Sequence, residues 1–419
     1  MMVPGQRDQP IPSFGDGATE VRNAVLADAV AGVAPRWVAT PHSTKEVASV
    51  LKAANEQGLT VVARGTARRL SWGQPPNRVD IVLDTTSLSG VIEHVAGDLV
   101  VAVGAGTRLD ELQSVLARAG QRLALDGEHG DSTIGGLIAN AVSGPSRLLY
   151  GTLRDLLIGV TFVRGDGVIA KAGGKVVKNV AGYDIGKLLH GSWGTLAVIT
   201  EAILRLHPVP PSQRWVTIKV DDPSRTGELV QRVLHSQLVP TAIELDRTPS
   251  GSSLLTVMLE GIEAGVRTRA DSVSILLGNG AVSSESQPEM WGKPPAAAGD
   301  YLLRLTTEVA SLPLLLDAVT EASSATGLPM HIRGSVGVGS MLASLPGDAS
   351  SDKIGVFLDT LRRKSNRWGG TVVVLDAPLP VVRSIDTWGP VQALDLMRSV
   401  KVGFDPARVL SPGRFVGGI

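Results

Sequence analysis

The 419-residue chain contains no cysteine, which excludes disulfides, thiol catalysis and any iron–sulfur cluster ligated by the chain itself. Lysine plus arginine and aspartate plus glutamate both number 40, so the net charge is zero and nothing marks a nucleic-acid or anionic-membrane partner. No apolar run reaches membrane-spanning length, and the start, MMVPGQRDQPIPSFGDG, lacks the basic and apolar regions of a secretory signal. A cytoplasmic location without a direct membrane span is the expectation. Aromatic residues are few, at 4%, and this scarcity reflects genome composition more than activity. Common catalytic signatures are missing as well: GxxxxGK[ST], GxSxG and HExxH do not occur. Gly104 and Gly106 begin a GxG, but Leu109 stands where a nicotinamide-binding fold needs its third glycine. Asp110 and Glu111 point to different azimuths of a helix and read as solvated charges.

What is present lies mainly in the first half. HSTKEVASVLKAANEQG predicts a helix: Ser43 and Glu46 have capping-box spacing, Val47, Val50, Leu51 and Ala54 form one apolar face, and Gly58 ends the run. The helix leads into a short apolar strand, Leu59 to Val62, and then into the loop ARGTARRLSWG. A diphosphate needs converging main-chain amides, small side chains and nearby positive charge. Gly65 and Thr66 meet the steric demand, and Arg64, Arg68 and Arg69 supply charge. A second helix is expected to be capped by Thr107. DSTIGG, Asp131 to Gly136, then brings Gly135 and Gly136 to a helix start, where unpaired amides favour a phosphate. Together the two loops read as the cradle of a flavin pyrophosphate.

The order of an RGxGT-like loop, TIGG, NAxSGP, YGxxRD and GGKVVKNVAGYDIGKLLHGSWGTLAVITEAILRLHPVPP resembles the FAD-binding domain of the vanillyl-alcohol oxidase and p-cresol methylhydroxylase (PCMH) superfamily. Within it, the chain resembles the glycolate oxidase FAD-binding subunit, the GlcE-like branch. The closing WGPVQALDLMRSVKVGFDPARVLSPGRFVGGI extends the likeness from about Pro35 nearly to the C-terminus. The resemblance implies that Arg64, Gly65, Thr66, Ala67, Arg68, Arg69 and Leu70, with Ser132, Thr133, Ile134, Gly135 and Gly136, meet the FAD diphosphate. It places Asn140, Ser143 and Gly144 along the ribityl and flavin approach. Tyr150, Gly151, Arg154 and Asp155 match YGxxRD, and Val198 and Ile199 match a segment that meets the cofactor's other end. Ala67 and Arg68 replace the family's third glycine and threonine, and Ala197 replaces the glycine of TLG. A methyl group at positive φ costs on the order of 1 kcal/mol. With no cysteine in the chain and no histidine in the first loop, the FAD is expected to be non-covalent.

The implied fold is α+β: a two-subdomain PCMH-type FAD-binding domain, a ferredoxin-like α/β domain, and a C-terminal segment returning to the FAD domain. The expected boundaries are a tail over 1–34, the FAD domain over 35–208, the second domain over 212–380, and the returning segment over 381–419. The prolines of HPVPP, His207 to Pro211, mark the first division. RWVTIKV, TAIELD, LLTVMLEG, YLLRLTT, MHIRGSVGVG and TVVVLDA read as strands, and TGELVQRVLHSQ, VRTRADSVSILLG and LPLLLDAVTEASSATG as helices. Ala281 to Gly299, rich in Ser, Pro and Ala, reads as a mobile loop.

Past the linker only His235 and His331 occur, without ligand spacing, so no metal site is expected. Catalytic residues are not assigned by sequence; candidates are Lys178 and Tyr183 near the expected flavin ring, and His331 with Arg333. The functional expectation is an FAD-binding redox subunit of a glycolate or other 2-hydroxy-acid oxidase, with a larger flavoprotein and an iron–sulfur subunit as partners. The alternatives are an independent FAD-dependent alcohol or hydroxy-acid oxidoreductase, or a non-enzymatic assembly subunit with a decayed flavin site.

Overall fold

The computed structural model describes residues 19–127, 129–175 and 182–419. A first sheet contains β1 (Glu20–Asn23), β2 (Trp37–Thr40), β3 (Val61–Arg64) and β4 (Ile81–Asp84), in the order β1-β2-β4-β3. Helix α1 (Thr44–Glu56) lies between β2 and β3 in the chain. Ser43 caps it, its Oγ accepting from the Glu46 amide, but the reciprocal bond of a capping box is displaced by one residue: Glu46 Oε2 accepts from the His42 amide at 2.9 Å rather than from that of Ser43. Its apolar face, Val47, Val50, Leu51 and Ala54, closes on Trp37, Val61, Ile81 and Leu83.

The chain continues through β5 (Val91–Val95), β6 (Val100–Gly104), α2 (Leu109–Ala117) and the two-residue β7 (Gln121–Arg122). Arg108, not Thr107, is the N-cap of α2, because the Thr107 hydroxyl is taken by the Gly90 amide at 2.8 Å. Short helices α3 (Ile134–Ala139), α4 (Arg147–Tyr150) and α5 (Leu153–Leu156) lead to β8 (Leu157–Arg164) and β9 (Ile169–Gly173). Then come α6 (Ile185–Leu189), β10 (Ala197–Arg205) and β11 (His207–Pro208), which pairs with β7. Strands β5-β6-β10-β8-β9 form an antiparallel second sheet, and their core is shared with α2 and α3 through Leu112, Leu116, Ile134 and Leu137.

After Ser212 a β-α-β-β-α-β run occurs twice. The first comprises β12 (Ser212–Lys219), α7 (Pro223–Leu234), β13 (Ala242–Arg247), β14 (Ser253–Gly261), α8 (Glu263–Leu277) and β15 (Val282–Ser284). The second comprises β16 (Tyr301–Thr306), α9 (Leu312–Thr326), β17 (His331–Ser335), β18 (Ser340–Leu345), α10 (Ser351–Ser365) and β19 (Thr371–Asp376). Their strands join in one sheet, β15-β12-β14-β13-β17-β18-β16-β19, where β13 and β17 pair antiparallel at the junction. Each half is thus a ferredoxin-like unit. The stretch from Ala281 to Gly299 is not a plain loop: it supplies edge strand β15, and Trp291 is buried against Trp215 and Met258.

Strand alternation gives this sheet two faces. Ile243, Leu245, Ile332 and Ala343 turn into the apolar core beneath the four helices. Glu244, Arg304, Arg333, Ser335 and Leu342 occupy the alternate positions, on the face toward the amino-terminal half. Contacts across this divide include Arg147 Nη1 to Ser340 Oγ at 2.9 Å and Ser335 Oγ to Pro145 O at 3.4 Å.

Helix α11 (Leu394–Phe404) and the residues after it return to the first sheet. The Val61 amide donates to Val409 O at 2.7 Å, and the Ser411 amide to Val61 O at 2.9 Å, so this segment lines the free edge of β3. Lys401, 2% exposed, clamps it: Nζ donates to Thr195 O at 2.7 Å, Leu410 O at 2.9 Å and Asp405 Oδ2 at 2.7 Å.

Candidate functional site

An open cleft with about 800 Å³ of empty space lies where the first two sheets meet the returning C-terminal segment. Its wall includes Arg64, Gly65, Thr66, Ala67, Arg68, Arg69 and Leu70 from the loop after β3. Ser132, Thr133, Gly135, Gly136 and Asn140 come from the loop into α3, and Val198 and Ile199 from β10. The two loops singled out in the sequence therefore face each other across one cavity.

The first loop has five consecutive amides, Gly65 to Arg69, that donate to no other described residue. Such a run of unclaimed N–H groups suits a diphosphate. Contact between the loops is close: a Cβ on Gly65 would stand 2.2 Å from Thr133 Oγ1. Ala67 holds φ at +62°, so the loop keeps a left-handed turn despite its methyl group. The second loop contributes differently from expectation. The Ile134 and Gly135 amides are bound to Thr107 O and Ala105 O, and that of Gly136 to Thr133 Oγ1, so these three are already satisfied. What it offers the cleft is small side chains and hydroxyls.

The arginines divide by their partners. Arg64 is committed to Asp28 at 2.9 Å and Asp84 at 2.8 Å, so its charge is already compensated. Burial opposes ionisation of Asp28, but Arg22, the Val25 amide and Arg64 outweigh it and hold the carboxyl below the usual carboxylate range. Arg68 lies 3.4 Å from Asp131, both half exposed. Arg69 donates to Ser132 Oγ at 2.9 Å, sits 3.1 Å from His129 Nδ1 and lies over the Trp72 ring; its Nε is buried without a partner among the described residues. Burial, with Arg68 adding to it, brings the Arg69 guanidinium down to about 10.

Several other predicted residues lie off the cleft wall. Ile134 is buried in the core beneath the second loop. Ser143 has a buried hydroxyl with no described partner, and Gly144 is pressed against Asp126. Tyr150 turns away to Glu260, donating to Oε2 at 2.7 Å, while Gly151 backs onto Asp155, which with Thr152 forms the capping box of α5. Arg154 lies on that one-turn helix. Lys178 falls outside the described residues, and Tyr183 is 92% exposed. His331 and Arg333 share Asp246, at 2.7 and 3.0 Å, and Arg333 also donates to Lys293 O and Pro294 O. They form a closed ion-paired group that pins the 293–294 loop.

Trp193, Gly194, Ala197, Thr85 and Arg414 also line the cleft. Arg414 carried no sequence signal, because it reaches the cleft only through the return of the C-terminal segment. Trp193, at φ +56°, packs with Trp72, Trp388 and Phe415. This aromatic group rests on Leu302, Leu342, Val373 and Leu375 of the eight-stranded sheet, so one end of the cleft abuts that sheet's open face.

Two features stand out on that face. The guanidinium of Arg304, opposite Leu342 in the register, has no hydrogen-bond partner among the described residues. Burial, with Arg147 and Arg69 adding like charge, brings it down to about 10. Further along, Glu244 is bound to Ser335 Oγ and is pushed up to about 8 by burial, which Ser335 and Arg147 only partly offset. Nearby Asp126, raised by burial, accepts from Ser146 and from the Trp291 indole.

Residues 35–173 match a family described as an FAD binding domain. The chain is accordingly a flavoprotein with a PCMH-type FAD-binding domain, and the unclaimed amides, the close-fitting glycine and Arg69, which makes no ion pair among the described residues, fit the cofactor's diphosphate. More particularly, it is an FAD-linked oxidoreductase related to glycolate oxidase subunits and D-lactate dehydrogenases. It is 25% identical to glycolate oxidase subunit GlcD of Bacillus subtilis, covering 91% of this chain and 88% of that protein. Similarity to glycolate oxidase subunit GlcE of Escherichia coli is 29% identity over 54% of this chain and 61% of that one. With the D-lactate dehydrogenase of Archaeoglobus fulgidus it shares 39% identity over 42% of this chain and 41% of that one. Among solved structures, an alkyldihydroxyacetonephosphate synthase superposes with a TM-score of 0.67 at 18% identity, covering 91% of this chain and 78% of that chain, and so shares the fold.

Proposed function

We propose that this chain is the FAD-binding redox subunit of a glycolate or related 2-hydroxy-acid oxidase, working beside a larger flavoprotein subunit and an iron–sulfur subunit in the cytoplasm. Arg304 carries the reading. It is a largely buried guanidinium without a partner among the described residues, on the sheet face that adjoins one end of the cleft, and it matches what a substrate carboxylate requires. Two relatives are named for glycolate and one for D-lactate, both 2-hydroxy acids, which supports a carboxylate-bearing alcohol. The names of the glycolate oxidase relatives support membership of a complex.

When bound, FAD supplies a two-electron acceptor. The chain's own residues perform the rest: the Gly65–Arg69 amides anchor the diphosphate, Arg304 orients the substrate, and the Trp72–Trp193 wall keeps water from the ring end. The diagnostic experiment loads the purified chain with FAD and adds glycolate or D-lactate without oxygen. Bleaching of the flavin band only with the larger flavoprotein present supports the subunit reading, whereas bleaching by the chain alone makes it an independent enzyme. Arg304→Met should weaken the response to substrate at least tenfold while leaving FAD bound. A response equal to that of the unmodified protein refutes the carboxylate assignment.

A further inference from the structure

Arg414 is a cleft-lining cation that the proposed chemistry leaves unused. It enters from the C-terminal segment and is fixed by Nη2, which donates to Leu70 O at 2.8 Å and Trp72 O at 2.7 Å. Its Nε is buried without a partner among the described residues, and no carboxylate acts on it; burial alone brings it down to about 10. An isolated buried charge is expensive, so its place on a ligand cleft points to a negative or electron-rich group arriving with the ligand. Arg64, by contrast, already has two carboxylates.

The cleft's two ends differ. The free amides Gly65 to Arg69 and the Ser132 and Thr133 hydroxyls mark the diphosphate stretch. Past Arg69 the same loop reaches Leu70 and Trp72, whose carbonyls Arg414 grips. There Trp193 forms the wall, its ring 6.3 Å from Trp72 and 6.5 Å from that of Phe415, next to the open sheet face bearing Arg304. Of the two halves of FAD, the flavin must meet the substrate, so the flavin belongs at this end. Val198 and Ile199 leave the adenosine half a place toward the first two sheets.

We infer that Arg414 sets its charge against the flavin ring, stabilises the negative charge that the ring gains on reduction, and so raises the reduction potential of the bound cofactor. This rests on FAD occupying the cleft. The balance is simple: the substrate's carbinol carbon gives up two electrons and one proton to the ring, and its hydroxyl proton departs separately. The ring is left with one negative charge. Arg69 and Arg304 are the other cations facing this region, and Asp376, bound to Ser71 Oγ, is the nearby acid. Arg414 differs from those cations in being fixed by two main-chain carbonyls of the cofactor loop itself.

The test measures the midpoint potential of the FAD-loaded full chain by anaerobic dye equilibration. If the reduced ring stays anionic, one proton accompanies two electrons and the potential falls about 30 mV per pH unit around neutrality; a neutral reduced ring gives about 59 mV. Arg414→Gln should weaken the preference for reduced over oxidised FAD at least tenfold, a drop of about 30 mV, while Arg414→Lys should keep that preference within about threefold of the unmodified value, half a pH-equivalent step. A glutamine variant that holds FAD at an unchanged potential overturns the inference. Should that variant lose FAD, the slope for the unmodified holoprotein and the potential of the lysine variant decide, and a 59 mV slope overturns it. An unmodified chain that takes up no flavin ends the FAD reading instead, a separate outcome.

Discussion

Replacing Ala67 by glycine tests the cofactor loop at its most strained point. Ala67 sits at φ +62° inside the run of free amides, where a side-chain methyl costs about 1–2 kcal/mol relative to ordinary backbone. Glycine removes that cost but adds about 0.4–1 kcal/mol of freedom to the unfolded chain. The net gain for A67G in the FAD-loaded protein is therefore about 0.5–1 kcal/mol, a rise of only about 0.5–1 °C in thermal midpoint for a chain of this size. Where the gain appears reports on the empty loop. If Ala67 is held left-handed before FAD arrives, the apoprotein is stabilised equally and affinity does not change. If FAD draws the loop into this shape, the apoprotein midpoint stays put and the Kd tightens by about two- to fivefold. Melting of apo and holo protein together with an FAD titration separates the two. A holo midpoint that is unchanged or lower, with no gain in affinity, refutes the strain argument.

Gly65→Ala should cost most of the FAD affinity, because its methyl would displace Thr133 Oγ1 from the Gly136 amide; flavin titration of G65A beside G65A/T133S, which frees the space of one methyl, checks this, with partial recovery expected. Lys401→Met leaves Asp405 as a buried, uncompensated carboxylate and should destabilise by about 3–5 kcal/mol, readable in urea unfolding. Removing both groups in K401M/D405L should cost less than the sum of the single changes. Glu244 has its pKa raised in the folded state from an ordinary 4.5 to about 8, so the folded protein binds the extra proton. The resulting stability is complete below pH 4.5 and is lost as pH rises through 8. E244Q, which mimics the protonated acid, should flatten the fall in thermal midpoint from pH 6 to 9; an unchanged profile rejects that assignment.

Local signals in the chain were readable. The Ser43 cap specified the start of α1, and the glycine and arginines after β3 marked a loop that does line the cleft. Strand runs such as TAIELD and LLTVMLEG showed the alternation that sets Ile243 and Leu245 against Glu244. Long-range partners were not readable. Nothing near Arg64 reveals that Asp28 and Asp84 neutralise it, because the nearer of the two is 20 residues away in sequence. The same reason hides Arg414, which meets Leu70 across 344 residues. The Ser, Pro and Ala of 281–299 suggested irregular chain, but one indole buried against Trp215 and hydrogen-bonded to Asp126 is enough to anchor it. Helix α10 escaped because its polar residues thin out the apolar stripe of Ile354, Phe357, Leu358 and Leu361.

The strand-like pairing of Val409 to Ser411 along β3 has a bearing on biosynthesis. While these residues are still inside the ribosome, the nascent chain exposes the flank of β3 and has no Arg414 at its binding groove. The cleft wall that Arg414 supplies is complete only once translation has passed this point, so the groove takes its final form late. Shortened translation products would emerge with an unsealed sheet, a ready target for chaperones and proteases.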